Sequence, residues 1–148
     1  MILAADTNLF LYAANPDSPR HEASRRFFEE TINGQRFLLC GLVLVELYMQ
    51  LRNPALFQQP KSAREAAAFC DALRANPTWE FGDYEPEVGK PLWNWAANAT
   101  SSSFRQIIDA RLALTLRHHG VTHFATANVR HFEGFGFESV WNPVSMEA

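Results

Sequence analysis

Several things are scarce in this chain, and each scarcity excludes a class of protein. Only two cysteines, Cys40 and Cys70, occur in 148 residues. They form no C-x-x-C pair and sit among apolar neighbours, which excludes a disulfide framework and points to reduced, buried thiols. The seven glycines gather into no phosphate-cradling loop, so a nucleoside triphosphatase is disfavoured. Charge is sparse too: 20% of residues are charged and the net charge is −3. That excludes a domain holding nucleic acid by overall positive charge, and it makes long disorder unexpected. No apolar run approaches the roughly 20 residues that span a membrane. The opening residues carry no basic stretch of a targeting segment. A soluble, cytoplasmic protein is expected, with no membrane partner.

What is present is apolar and aromatic. Hydrophobic residues make up 47% of the chain, with twelve Phe and four Trp. A chain of this length buries roughly 70% of its unfolded surface, enough for one domain over residues 1–148. Eleven of the thirteen basic residues are Arg, whose planar fork suits phosphate.

The pattern alternates strand with helix. Ile2-Leu3-Ala4-Ala5 reads as a buried strand ending at Asp6, with Leu9 to Ala13 as a turn or short helix. Ser18-Pro19 predicts a helix start, running to about Thr31 with Gly34 as its stop. Arg36 to Cys40 is a second strand. Periodicity alone does not separate strand from helix over Leu42 to Leu51; the length and the Asn53-Pro54 ending favour helix. Ser62 and Glu65 form a capping box that opens a helix carrying Ala66, Phe69, Cys70 and Leu73. Thr78 to Phe81 is a short strand. Pro86 starts a helix with Val88, Leu92 and Trp95 inward. Asn98 to Ser103 is a loop. Phe104 to His119 is a helix with Ile108, Leu112 and Leu116 on its inner face. Val121 to Thr126 and Phe137 to Trp141 are the last strands. This order predicts an α/β fold of three layers, α/β/α, around a mostly parallel sheet of about five short strands. Ligands in such sheets bind beyond the carboxyl ends of the strands, where Asp6 and Thr126-Ala127-Asn128 fall.

Three acids stand out by their company. Asp6 ends an apolar strand, Glu46 sits between Val45 and Leu47 beside the inward positions Leu42 and Met49, and Asp109 follows Ile107-Ile108. An acid among core residues is costly unless it is paired or holds a metal. Taken singly, each is more readily a helix cap or half of an Arg pair. Two carboxylates about 4 Å apart repel by roughly 4 kcal/mol at an effective dielectric of 20, so converging acids recruit a cation. With no Cys/His set beside them, that cation is Mg²⁺ or Mn²⁺ in preference to Zn²⁺.

At this point the chain resembles the PIN-domain nucleases, and among them the VapC-type toxins of toxin–antitoxin modules. The resemblance rests on Asp6-Thr7-Asn8-Leu9-Phe10 at a strand end, Val45-Glu46-Leu47 in a helix, Asp109-Ala110-Arg111 before a helix end, and Thr126-Ala127-Asn128-Val129-Arg130-His131-Phe132 near the C-terminus. The set is ordered and spans nearly the whole chain. It implies a Mg²⁺-dependent endoribonuclease in which Asp6, Glu46, Asp109 and Asn128 are catalytic and Asp6 and Asp109 hold the metal, with Mn²⁺ able to substitute. It further implies an RNA substrate touched by Thr7, Thr126 and Arg130, a homodimer, and a small antitoxin that plugs the acidic pocket. The family often carries Asp where this chain has Asn128. Asn offers a carbonyl oxygen but no charge, so one firmly held metal is expected; whether His131 or Glu133 compensates is open. Two other readings of the resemblance are an RNA-processing nuclease outside a toxin–antitoxin system and a non-catalytic binding module.

Other candidates weigh less. His118 and His119 are adjacent on a helix and point about 100° apart, which suits a polar helix end better than a zinc site. Trp93 and Trp95 suit packing better than base stacking. A phosphatase with a nucleophilic Asp usually needs a second Asp two residues on, where this chain has Asn8.

Overall fold

The computed structural model describes residues 1–100 and 104–146. Its centre is a five-stranded, wholly parallel sheet. The strands are β1 (Ile2–Ala5), β2 (Arg36–Cys40), β3 (Glu80–Gly82), β4 (His123–Ala125) and β5 (Ser139–Trp141), in spatial order β3-β2-β1-β4-β5. The chain steps outward from β1 to β2 and β3, then returns across the sheet to β4 and β5. The β1/β4 boundary, with Leu3 opposite His123 and Ala5 opposite Ala125, is therefore where the winding reverses. Such a reversal opens a crevice at the strand carboxyl ends.

Among the described residues six α-helices cover the sheet: α1 (Thr7–Ala14), α2 (His21–Arg26), α3 (Gly41–Leu51), α4 (Ala63–Arg74), α5 (Gly89–Ala97) and α6 (Gln106–His118). Helices α1 to α4 pack on one another, and α5 packs on α6. These two groups are the outer layers, as right-handed crossovers in opposite directions require. The core joins Leu3 to Ala5, Phe37 to Cys40, Val43, Leu47, Leu51, Leu112, Ala113, Leu116 and Phe124. On α3 the inward residues Val43, Leu47 and Leu51 fall four apart, the spacing of one helical face.

The expected elements are all present, with shifted edges. Helix α2 starts at His21; Ser18 instead turns the chain, its Oγ accepting from the Arg20 N–H at 3.2 Å. Beyond Arg26 the helix widens into a π turn over Phe27–Thr31. There Phe27 packs on Trp141, and Phe28 on Phe10, Phe37 and Trp79. The capping box of Ser62 and Glu65 forms as read, with both bonds near 3 Å. Pro86–Val88 is a 3₁₀ turn ahead of α5. The loop read over Asn98 to Ser103 runs partly over residues 101–103, outside the described residues.

Three inward assignments are corrected. Ile108 is half exposed, because the first turn of α6 carries Asp109 to the strand ends and leaves Ile108 beside it uncovered; α6 buries Ala110, Leu112, Ala113 and Leu116 instead. Met49 is exposed with Val45 on the outer side of α3. Cys70 is half-buried, while Cys40 is buried; both are free thiols. Among the described residues no helix is long and apolar enough to cross a membrane.

Candidate active site at the strand ends

Asp6 is the first residue past β1, and the fold fixes it from every side. Its backbone N–H donates to the Ala125 carbonyl at 2.9 Å, extending the β1/β4 ladder by one residue. Its side chain caps α1, with Oδ1 accepting from the Thr7 N–H at 2.8 Å. A carboxylate at a helix N-terminus is favoured by the unpaired N–H groups there. Its Oδ2 accepts from the Thr126 hydroxyl at 2.7 Å and, at 3.5 Å, from the Asn8 amide. Asp6 is buried, at 7% exposure. Burial pushes its carboxyl up to about 6, against the two hydrogen bonds from Thr126 and Thr7, and the charges of Glu46 and Asp109 push the same way as burial.

The other acids come from two helices. Glu46 stands on α3 at the exposed rim, where its Oε2 accepts from the Thr7 hydroxyl at 3.2 Å. Asp109 lies in the first turn of α6, and its Oδ2 is 3.2 Å from Nδ1 of His131. Both carboxyls are raised, first by desolvation; Asp109 adds to the rise of Glu46, and His131 opposes that of Asp109. A cleft of about 250 Å³ gathers Asp6, Thr7, Asn8, Glu46, Gln50, Asp109 and Asn128, with Leu11 and Leu56 at its edge.

Two substrate contacts inferred from sequence sit elsewhere. Thr126 is fully buried. Its hydroxyl donates to Asp6 and accepts from the Asn128 N–H at 3.0 Å, so it positions Asp6, and its burial keeps it from a substrate. Arg130 is exposed and lines the next hollow, beyond Asn128, outside the acidic cleft. Thr7 does line the cleft, with its hydroxyl turned to Glu46. The structure adds Asn8 and Gln50 to the cleft and brings His131, whose part the sequence left open, to Asp109. Gln50 had a readable signal, standing four residues after Glu46 on one helix. His131 had none, because its approach to Asp109 depends on a 3₁₀ turn over Val129–Phe132. Glu133 is exposed. His119 bonds the Asp83 carbonyl at 2.8 Å, so the His118-His119 pair is a helix end.

The donor set fits a hard cation. Every donor in the cleft is an oxygen or an amide, and three desolvated carboxyls repel one another when ionised. Among the described residues no three His, Cys, Asp or Glu side chains form a ready-made cage.

A parallel α/β/α sandwich with an acidic cleft at its switch point is the PIN-type architecture. Over 146 residues, 99% of both chains, the sequence is 42% identical to Ribonuclease VapC24 of Mycobacterium tuberculosis, in two strains. The chain belongs to the VapC family. No family model matches it. Solved structures agree on the fold. VapC20 of M. tuberculosis, described as a sarcin–ricin loop cleaving toxin, superposes with a TM-score of 0.64 at 16% identity, covering 82% of this chain and 86% of its own. VapBC2 of Rickettsia felis, bound to a promoter DNA fragment, gives 0.64 at 16%, covering 96% and 98%. DNA-bound VapBC of Salmonella typhimurium gives 0.62 at 16%, covering 97% and 98%.

Proposed function

We propose that the chain is a Mg²⁺-dependent endoribonuclease and the toxin of a VapBC-type pair, working as one domain in the cytoplasm. The observation that carries this is the convergence of Asp6, Glu46, Asp109 and Asn128 on one cleft in a chain similar over its full length to a VapC ribonuclease. Asp6 and Asp109 would hold the metal, with Mn²⁺ as a substitute. A bound Mg²⁺ supplies charge neutralisation at the phosphate and acidifies a water.

The chain's own residues do the rest. Thr126 and the Thr7 N–H lock Asp6 in one rotamer, and His131 holds Oδ2 of Asp109. Glu46, at the open rim, is placed to take a proton from the attacking water. Its bond from Thr7 fixes the direction of that oxygen. Asn128 presents an amide and adds no negative charge, so the cleft repels an incoming phosphate less than four carboxylates would.

Apolar side chains stand beside the acids. Val45 and Met49 are exposed near Glu46 on α3, Ile108 is exposed beside Asp109, and Phe104 is exposed just ahead of α6. They offer surface to a second copy and to an antitoxin whose Arg enters the cleft; that VapBC complexes are among the structural neighbours supports an antitoxin partner. The test is RNA cleavage by purified protein with Mg²⁺ or EDTA, for wild type, Asp6→Asn and Asp109→Ala. Cleavage only by the wild type with Mg²⁺ is expected; equal cleavage by all three would overturn the proposal.

A further inference from the structure

The acidic cleft is the middle of three hollows that share walls. Through Leu56 it joins a hollow of about 580 Å³, and through Asn128 it joins one of about 510 Å³. A strand that follows the three hollows passes through both, and the two exits differ chemically. The Asn128 side carries Arg130 and His131. The Leu56 side carries the side-chain amides of Asn15, Gln58 and Gln59, with Asp17 and Lys61 of opposite charge. The Lys61 ammonium lies 5.6 Å from the Phe69 ring centre, already engaged. Phosphate is drawn to the first exit, and little draws it to the second.

Uncharged amides suit a nucleobase. Gln58 and Gln59 are exposed, and among the described residues their side chains make no hydrogen bond. Each offers a carbonyl acceptor and two N–H donors, the complement of a base edge. Asn15 has its oxygen engaged by the Asp17 N–H at 3.1 Å, which leaves its amide N–H groups as donors. Leu56, 45% exposed on the shared wall, gives a base an apolar face to rest on. Duplex RNA hides its base edges in pairing, whereas an unpaired base presents them.

We propose that the hollow beside Leu56 is a base-reading subsite for single-stranded RNA, in which Gln58 and Gln59 set cleavage preference while Arg130, across the cleft, holds the backbone. The proposal deepens the nuclease reading and rests on it for the direction of the strand.

The test uses the full chain as wild type, Gln58→Ala/Gln59→Ala and Arg130→Ala. One readout is sequencing of the ends cut from a randomised single-stranded RNA library with Mg²⁺. The other is fluorescence anisotropy of oligo(A), oligo(C), oligo(G) and oligo(U) RNA in EDTA at low salt. The wild type should favour one base near the cut, and one oligonucleotide over the rest, by about fivefold or more. The double variant should bring both ratios within twofold while its melting temperature stays unchanged. Arg130→Ala should weaken all four oligonucleotides alike and reduce the salt dependence, as loss of a phosphate contact does. A base preference that survives in the double variant, or no preference or binding in the wild type, overturns the subsite. A wild type that shows the preference in EDTA but never cuts RNA defeats the nuclease reading and leaves the subsite standing.

Discussion

Replacing Asp6 with Asn should inactivate the protein and stabilise its metal-free form. The Asp6 carboxyl is raised from its ordinary 3.8 to about 6. At 1.36 kcal/mol per tenfold change in proton affinity this is about 3 kcal/mol. The folded chain binds this proton more tightly than the unfolded chain does. Stability from this group is therefore complete below pH 3.8, falls as pH climbs from about 4 to about 6, and stays low above that. At pH 7.5 the wild type holds a buried, ionised carboxylate and the variant does not. Asn keeps an oxygen for the Thr7 N–H but loses the acceptor of the Thr126 hydroxyl, which costs about 1 kcal/mol. The net gain is about 2 kcal/mol, or about 6 °C for a chain of this size. Denaturant and thermal unfolding in EDTA between pH 4 and 7.5 would measure it. The wild type should lose stability mainly between pH 4 and 6, and the variant should lose less. Excess Mg²⁺ should then stabilise the wild type alone, since a ligand stabilises only the form that binds it. A variant no more stable than wild type at pH 7.5 without metal would refute the reasoning.

Other outcomes follow from the same contacts. His131→Ala should weaken Mn²⁺ binding in calorimetry, because Asp109 loses the group 3.2 Å from its Oδ2; His131→Gln, which keeps a donor, should restore part of it, and unchanged affinity in both would refute a positioning role. Thr126→Val removes a hydroxyl bonded on both sides and should cost about 1–3 kcal/mol by denaturant unfolding; a neutral result would show that these bonds contribute nothing net. Asn128→Asp adds an anion at the cleft wall and should tighten Mg²⁺ in calorimetric titration while lowering metal-free stability. Leu47→Ala empties a fully buried site on α3 and should cost about 2–5 kcal/mol, measured by the same unfolding.

How far these features could be read in advance depended on the range of the interactions that create them. The strand and helix order came from local signals: apolar runs, Ser62 with Glu65, Pro86, Gly34. Boundaries slipped where packing overrode the local signal, as at Ser18, whose hydroxyl serves a turn. Inward faces were misread where a helix overhangs the sheet. Ile108 has the right spacing for the α6 core face, but the turn that carries Asp109 to the cleft leaves it uncovered. Met49 has apolar neighbours in sequence and none beneath it.

The acids were legible for a different reason. A lone acid in an apolar stretch conflicts with its surroundings, and such conflict is tolerated where function requires it. Asp6, Glu46 and Asp109 each showed that conflict. What holds them did not show, because it is made by chain pairing. Asp6 and Thr126 are 120 residues apart and meet only because β4 returns beside β1 in register, Ala5 opposite Ala125. A one-residue slip of that pairing would turn the next side chain of β4 toward Asp6 and remove its principal hydrogen-bond donor, since strand side chains alternate faces. The register of two three- to four-residue strands thus sets the charge balance of the cleft. A substitution in β4 that weakens the pairing, such as Phe124→Ala, should therefore raise the Asp6 carboxyl further as well as loosen the core. Titration of Asp6 by carbon-13 NMR would separate the two effects: a shift that leaves the Asp6 value unchanged while stability falls would show that the acid is held by its cap on α1 and not by the sheet.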